Sequence, residues 1–227
     1  MGVARVQDRL GRRLGTLRIS VTDRCNLRCE YCMPEREYVW LPKPQILSFE
    51  ELTRLSRVFV GLGVDKIRLT GGEPLLRAEL PELVRRLKGI AGLRELALTT
   101  NGILLAEQAS ALRAAGLDRV TVSLDTLDSG RFLAIARRPS LEAVLEGLRA
   151  AREAGFPGLK LDTVLMRGQN DDEILPLLDF ARSIGAELRF IEYMDVGGAT
   201  AWRPEAVVTR KQILAEISGR PSRTRTR

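Results

Sequence analysis

Histidine is absent from this 227-residue sequence, and cysteine occurs only three times, at Cys25, Cys29 and Cys32. A long apolar run is absent as well, since no stretch approaches the roughly 20 residues that a helix needs to cross a bilayer. The N-terminus also lacks the pattern of a secretory signal. These absences argue against a membrane partner and predict a cytoplasmic chain whose thiols are reduced.

Acidic residues are absent from the end of the chain, where much of the positive charge lies. The formal net charge is +7, and the last stretch, GRPSRTRTR, carries four arginines. Without these four the net charge is +3, and the remaining charges are mixed as on an ordinary solvated surface. We therefore expect no nucleic-acid partner and a disordered basic tail over 218–227.

The three thiols lie within the stretch TDRCNLRCEYCMP, residues 22–34. Their odd number and the short loops between them argue against disulfides. A zinc site needs a fourth ligand, which here would be Asp23 or Glu30. An iron–sulfur cluster fits better, because a cubane takes one cysteine per iron and three cysteines leave one iron open. Polar side chains alternate with the thiols, which disfavours the reading of buried apolar cysteines.

The length and the 44% content of hydrophobic residues allow one large domain with a substantial core. We predict an N-terminal arm over 1–14, a core domain over 15–217 and the basic tail over 218–227.

Within the core, β-branched or leucine-rich runs alternate with stretches of helical period, which predicts βαβ units and a parallel sheet. The predicted strands are LRISVT (17–22), KIRLTG (66–71), ELALTTN (95–101), RVTVSLD (119–125), LKLDTVL (159–165) and LRFIEYM (188–194). The predicted helices cover 48–61, 79–88, 106–115, 140–154, 171–184 and 209–217. Six such units form either an open doubly wound sheet or most of a (β/α) barrel.

Polar residues recur on one face of the predicted strands, as where Val120 and Val122 alternate with Thr121 and Ser123. A strand covered on both faces would be almost continuously hydrophobic. The pattern therefore favours a curved sheet with a polar lining and a site at the C-terminal ends of the strands. Three cations on three strands belong to this lining and favour an anionic substrate such as a phosphate; they are Arg18, Arg68 and Lys160.

Several motifs occur in a fixed order along the chain. CxxxCxxC follows the first predicted strand, TGGEPLL the second and TTNG the third, and VSLD, GQND and RFIEYMDVG come later. Over about residues 10–215 the sequence resembles radical S-adenosylmethionine (SAM) enzymes and, among them, the GTP 3′,8-cyclase family of molybdenum cofactor biosynthesis.

This resemblance implies a partial (β/α)6 TIM-like barrel and one [4Fe-4S] cluster held by the three cysteines. SAM would chelate the open iron, and one electron would cleave it to methionine and a 5′-deoxyadenosyl radical that abstracts hydrogen from the substrate. The implied SAM contacts are Tyr31, Gly72, Ser123 and Met194, and the implied GTP contacts are Arg18, Arg68, Thr99 and Lys160. An electron donor protein is the implied partner, and a homodimer is compatible with the resemblance.

The sequence departs from the family pattern after the last predicted helix. The family has a C-terminal region with three further cysteines that bind a second cluster, and no such region follows here. We therefore expect a truncated chain in which the conversion of GTP is impaired. Two alternatives stay open: a radical SAM protein that acts on another anionic substrate, and a non-catalytic cluster-binding fragment.

Overall fold

The computed structural model describes residues 6–35, 37–196 and 202–219, in which strands and helices alternate. The strands are β1 (Thr16–Ser20), β2 (Lys66–Thr70), β3 (Glu95–Thr100), β4 (Arg119–Ser123), β5 (Lys160–Leu165) and β6 (Glu187–Glu192). The α-helices are α1 (Phe49–Gly61), α2 (Leu80–Lys88), α3 (Leu105–Ala114), α4 (Ser129–Ala136), α5 (Leu141–Glu153), α6 (Ile174–Ser183) and α7 (Arg210–Ser218).

The predicted α/β alternation is confirmed, since every predicted strand and helix is present. Most strands end one or two residues before their predicted ends, because the chain already turns there. Helix α4 is the α-helix within the described ranges that the sequence pattern did not predict. It begins after Asp128, whose Oδ1 accepts a hydrogen bond of 2.8 Å from the main-chain N–H of Arg131. This N-cap was the available signal.

The described residues fall into two compact units. The first comprises 6–26, 37–123 and 142–159 and contains β1 to β4 with α1, α2, α3 and most of α5. Its strands pair in parallel in chain order. The register sets Arg18 opposite Arg68, and Thr99 opposite Thr121.

The core of the first unit lies between the strands and the apolar faces of the helices. Ile67 and Leu69 of β2 are fully buried, as are Leu83 and Leu87 of α2. Burying each such side chain contributes about 1.5–3 kcal/mol. The other face of the strands is less exposed to solvent than the sequence pattern predicts, since Thr121 is also buried.

The second unit comprises 27–35, 124–141, 160–196 and 202–219. It contains β5 and β6, which pair in parallel, with α4, α6 and α7. One of its core clusters is formed by Leu165, Ile174, Val208 and Ile213. Helix α7 begins with a capping box made by Thr209 and a glutamine three residues later.

None of the helices in the described ranges is long and apolar enough to cross a membrane. The division into arm, core domain and tail stays a prediction. Parts of it, residues 1–5 and 220–227, lie outside the described residues.

One contact in the first unit gives a test of this packing. Gly147 of α5 lies so close to the turn after β3 that an added Cβ would come within 2.4 Å of the main-chain oxygen of Gly102. Overpacking typically costs about 1–3 kcal/mol, which exceeds the gain of up to about 1 kcal/mol from replacing a helical glycine. Gly147→Ala should therefore lower the free energy of unfolding, measured by urea denaturation.

The matched control is Gly61→Ala in α1, where an added Cβ meets no atom within 4 Å. This substitution should leave stability unchanged or raise it by up to about 1 kcal/mol. Equal stability of both variants would contradict the close packing of α5 on the turn.

Candidate functional site

The loop that leaves β1 and carries Cys25 is bound to the turn that leaves β2. The main-chain oxygen of Thr22 accepts a hydrogen bond of 2.8 Å from Gly72, and that of Arg24 accepts one of 2.7 Å from Glu73. These bonds fix the main chain on the N-terminal side of Cys25. The motif TGGEPLL therefore positions the first thiol.

Gly72 stands at the closest point of this contact. An added Cβ would lie 2.3 Å from the main-chain oxygen of Arg24 and 2.6 Å from that of Asp23. No side chain fits there, so the close approach of the two main-chain segments explains why this residue is glycine. Its predicted contact with SAM stays a prediction.

Glu73, which the sequence analysis gave no role, is a buried carboxylate that joins the ends of β2 and β3. Its Oε1 accepts from the N–H of Leu75 at 2.9 Å and from the hydroxyl of Thr100 at 2.7 Å. Its Oε2 accepts from the N–H of Asn101 at 2.7 Å. Burial raises the pKa of Glu73, and these three donors oppose that rise.

Asn101, in the motif TTNG, extends the same network to the cysteine loop. Its Oδ1 accepts from the N–H of Ile103 at 3.1 Å, and its Nδ2 donates to Oδ1 of Asn26 at 2.7 Å. The same Nδ2 lies 4.0 Å from Sγ of Cys25. Glu73 and Asn101 could have been found from the motifs that contain them, but their partners are distant in sequence.

Cys29 and Cys32 belong to the second unit and share one tight turn. The main-chain oxygen of Cys29 accepts a hydrogen bond of 3.0 Å from the N–H of Cys32. The N–H groups of Arg28 and Glu30 each donate, at 3.1 Å, to carbonyls in the last turn of α4. The unpredicted helix therefore anchors this half of the loop.

Tyr31 donates its hydroxyl proton to Oδ2 of Asp125 at 2.6 Å. Oδ1 of the same carboxylate accepts from the N–H of Val164 at 2.8 Å. Burial raises the pKa of Asp125 to about 6, although both hydrogen bonds lower it. Burial, followed by the charge of Asp125, raises the pKa of Tyr31 well above its usual value. The hydroxyl of Tyr31 thus donates its hydrogen bond to Asp125. The predicted contact of Tyr31 with SAM stays a prediction.

Asn170, in the motif GQND, is fully buried and ties together the segments around β5. Its Nδ2 donates to the main-chain oxygens of Asp125 at 2.7 Å and Val164 at 2.9 Å. Its Oδ1 accepts from the N–H of Met166 at 2.8 Å. Asn170 and Asp125 are further residues whose roles the sequence analysis missed.

Three of the four predicted substrate residues lie on neighbouring strands of the first unit. Nη1 of Arg68 donates to the hydroxyl of Thr99 at 2.9 Å and to that of Thr121 at 3.2 Å. Arg18 is exposed and lies opposite Arg68 in the register. Ser123, a predicted SAM contact, is half-buried at the end of β4 in the same unit.

The fourth, Lys160, lies in the second unit and is buried. Its Nζ is 2.6 Å from both carboxylate oxygens of Glu187, and Nε of Arg189 donates to Oε1 of the same carboxylate at 2.8 Å. The bond to Lys160, followed by that to Arg189, lowers the pKa of Glu187 to about 2. Met194, in the same unit, has 58% of its surface exposed.

The donor set fits an iron–sulfur cluster better than a single metal ion. All three cysteines are described, and none is in a disulfide. Among the residues that the structure describes, no three His, Cys, Asp or Glu side chains are grouped to bind one ion. Of the two candidates for a fourth zinc ligand, Glu30 accepts from Gln169, while Asp23 accepts from the N–H of Leu41 at 2.6 Å through Oδ2 and has a buried Oδ1 with no hydrogen-bond partner. Three thiolates would bind three of the four irons of a cubane and leave one open, whereas a structural zinc site needs four ligands.

The ion pair between the buried Lys160 and the exposed Glu187 of the second unit predicts a pH dependence. A carboxyl whose pKa is lowered from 4.5 to about 2 stabilises the fold above pH 4.5, and this contribution is lost as the pH falls towards 2. Glu187→Gln leaves the charge of Lys160 without its carboxylate. The variant should be less stable at neutral pH, and its deficit should shrink between pH 4.5 and 2. Chemical denaturation at a series of pH values measures this.

Glu142→Gln is the control, because Glu142 forms an exposed ion pair with Arg149 on α5. Exposed pairs contribute little to stability, so this variant should follow the wild-type curve. A deficit of Glu187→Gln that stays constant with pH would contradict the assigned ion pair.

Comparison with known proteins places these features in a family. Residues 19–181 match the profile of the Radical SAM superfamily. The chain is 52% identical over 223 residues to GTP 3′,8-cyclase 1 of Mycobacterium tuberculosis (strain H37Rv), which covers 96% of this chain and 62% of that protein. It is 53% identical over 218 residues to GTP 3′,8-cyclase of Acidothermus cellulolyticus, covering 94% and 60%. The chain thus spans less than two thirds of the length of these relatives.

Among solved structures, Streptococcus suis SuiB bound to S-adenosylmethionine matches with a TM-score of 0.69 and 19% identity, over 89% of this chain and 46% of that chain. At this identity the likeness concerns the fold alone. It confirms the predicted fold class, a partial (β/α)6 barrel of the radical SAM type. The superfamily uses a [4Fe-4S] cluster together with SAM. The chain described here, with its three clustered thiols and its parallel β/α units, belongs to the radical SAM superfamily.

Proposed function

We propose that the chain is a radical SAM lyase of the GTP 3′,8-cyclase type. In this reaction GTP becomes (8S)-3′,8-cyclo-7,8-dihydroguanosine 5′-triphosphate, a step of molybdenum cofactor biosynthesis. The proposal is supported by the relatives of that name, at 52–53% identity over more than nine tenths of this chain. The proposed reaction takes place in the cytoplasm and receives its electron from a donor protein. A homodimer stays a prediction.

Cys25, Cys29 and Cys32 would hold the cluster, and Tyr31, Gly72, Ser123 and Met194 would contact SAM. When bound, these cofactors supply one-electron radical chemistry by reductive cleavage of SAM. The contribution of the protein is to hold its own groups in place. Glu73 and Asn101 position the loop of Cys25, and Asp125 holds the ring of Tyr31 through its hydroxyl.

The observation that carries the substrate assignment is the placement of Arg68. Arg68 lies two residues before the end of β2, the strand that Gly72 follows, and its guanidinium donates to the hydroxyl of Thr99. A planar guanidinium beside a hydroxyl can bind phosphate oxygens with charge-assisted hydrogen bonds. Arg18, on the neighbouring strand, would add a second cation. Lys160 would have to exchange Glu187 for a phosphate, or bind the substrate while still paired.

The function is tested by anaerobic reconstitution of the 227-residue chain with iron, sulfide, SAM and a reductant, with and without GTP. We expect about four irons per chain and cleavage of SAM to methionine and 5′-deoxyadenosine. Cys25→Ala, Cys29→Ala and Cys32→Ala should each abolish both. Full cluster content in these variants would contradict the assignment of the thiols.

The nucleotide products separate the candidate functions. The 3′,8-cyclised nucleotide identifies the proposed reaction. Cleavage of SAM without any change in GTP favours another anionic substrate or the impaired chain that the sequence analysis expects. Bound iron and sulfide without cleavage of SAM favours the non-catalytic cluster-binding fragment.

Arg68→Ala tests the phosphate site. Loss of a charge-assisted hydrogen bond costs about 1.5–3 kcal/mol, so the Kd for GTP should rise about 10- to 150-fold. Equilibrium dialysis on the reconstituted protein measures this. Arg54→Ala removes an exposed arginine of α1 and should leave GTP binding unchanged. Equal affinity of wild type and Arg68→Ala would remove Arg68 from the substrate site.

A further inference from the structure

Within the first unit, one side-chain amide faces the first thiol of the cysteine loop. Nδ2 of Asn101 lies 4.0 Å from Sγ of Cys25 and 2.7 Å from Oδ1 of Asn26. A side-chain amide has two N–H groups, and the strong bond to Asn26 uses one of them. The second is directed towards the sulfur. We propose that Asn101 is a positioning residue whose N–H donates to the iron-bound Cys25 thiolate and raises the reduction potential of the cluster.

The orientation of this amide is fixed by its own oxygen. Oδ1 of Asn101 accepts from the N–H of Ile103 at 3.1 Å, which closes a local turn. Exchanging the oxygen and the nitrogen would set an N–H group against the N–H of Ile103. It would also set two oxygens together at Asn26. The hydrogen-bond pattern therefore assigns the NH₂ group to the side of the cysteine loop.

The backbone of Asn101 is fixed as well. Its N–H donates to the buried carboxylate of Glu73 at 2.7 Å, and the N–H of Glu73 donates to the main-chain oxygen of Arg24 at 2.7 Å. The path from Arg24 through Glu73 to Asn101 consists of short hydrogen bonds, and the amide of Asn101 then closes the ring at 4.0 Å from Sγ of Cys25. The distance between the amide and the thiol is thus set from both sides.

This geometry has an electrostatic consequence once the cluster is bound. Reduction adds negative charge to the cluster and its thiolates, and hydrogen bonds to the sulfurs stabilise that charge. Removal of the N–H should make the cluster harder to reduce. The inference rests on the proposed cluster site at Cys25, and it adds a residue that acts on the cluster without being a ligand.

The test compares two uncharged variants of the full, anaerobically reconstituted chain. Asn101→Ser keeps an oxygen that can accept from the N–H of Ile103, but it has no group that reaches Cys25. Asn26→Ala removes the other partner of the amide and leaves the N–H near Cys25 in place. The midpoint potential is measured without SAM by an EPR-monitored redox titration, and iron per chain is determined in parallel.

We expect Asn101→Ser to lower the ratio of reduced to oxidised cluster at a fixed potential by about three- to tenfold, with wild-type iron content. Asn26→Ala should keep the wild-type potential, although its melting temperature falls. An unchanged potential in Asn101→Ser overturns the proposal. Equal shifts in both variants also overturn it, because they indicate a loop that has merely loosened.

A measurement on the wild-type chain covers the case in which Asn101→Ser loses its cluster. Asparagine labelled with ¹⁵N only in the side-chain amide should give a weak nitrogen coupling in pulsed EPR of the reduced cluster, and the coupling should persist in Asn26→Ala. Its absence overturns the proposal. A wild-type chain that binds no cluster overturns the cluster site itself, and iron analysis distinguishes that failure from the others.

Discussion

The close approach of the Gly71–Gly72 turn to the loop after β1 is the constraint on which the first unit depends. Gly72 lies where any Cβ would overlap the main chain of Asp23 and Arg24. The contact brings the end of β2 against the start of the cysteine loop, and two main-chain hydrogen bonds hold it there. Neighbouring parallel strands end at the same edge of a sheet, so this single contact determines where Cys25 emerges.

Each unit contains a buried carboxylate that holds neighbouring segments of the chain together. Glu73 accepts from donors on its own turn and at the end of β3, while Asp125 accepts from Tyr31 and from β5. Burial raises the pKa of each, and several hydrogen bonds oppose that rise. A carboxylate with several donors fixes more segments at once than an apolar contact can. In each unit, one half of the cysteine loop therefore rests on a polar network.

The alternation of strands and helices predicted the fold class. The alternation of polar and apolar residues within the strands predicted that Arg68 lies on the polar face, and Arg68 does contact Thr99. The same reasoning placed Lys160 on that face, but its pairing with Glu187 could not be predicted. That pair joins β5 to β6, and only the register of two strands brings the residues together. Helix α4 was missed because it is short and its hydrophobic residues lack a clear period, although Asp128 caps it.

The sequence by itself predicted the chemistry of the site, because three thiols within eight residues and no histidine favour an iron–sulfur cluster over a four-ligand zinc site. It also determined the order of strands and helices, which depends on local periodicity. Tertiary structure decided which groups support the thiols. Glu73, Asn101 and Asn26 act together only because the segments after β1, β2 and β3 meet at one edge of the sheet. Hydrogen bonds between residues about 75 positions apart leave no periodic trace in a sequence, since they depend on where the strands end in space.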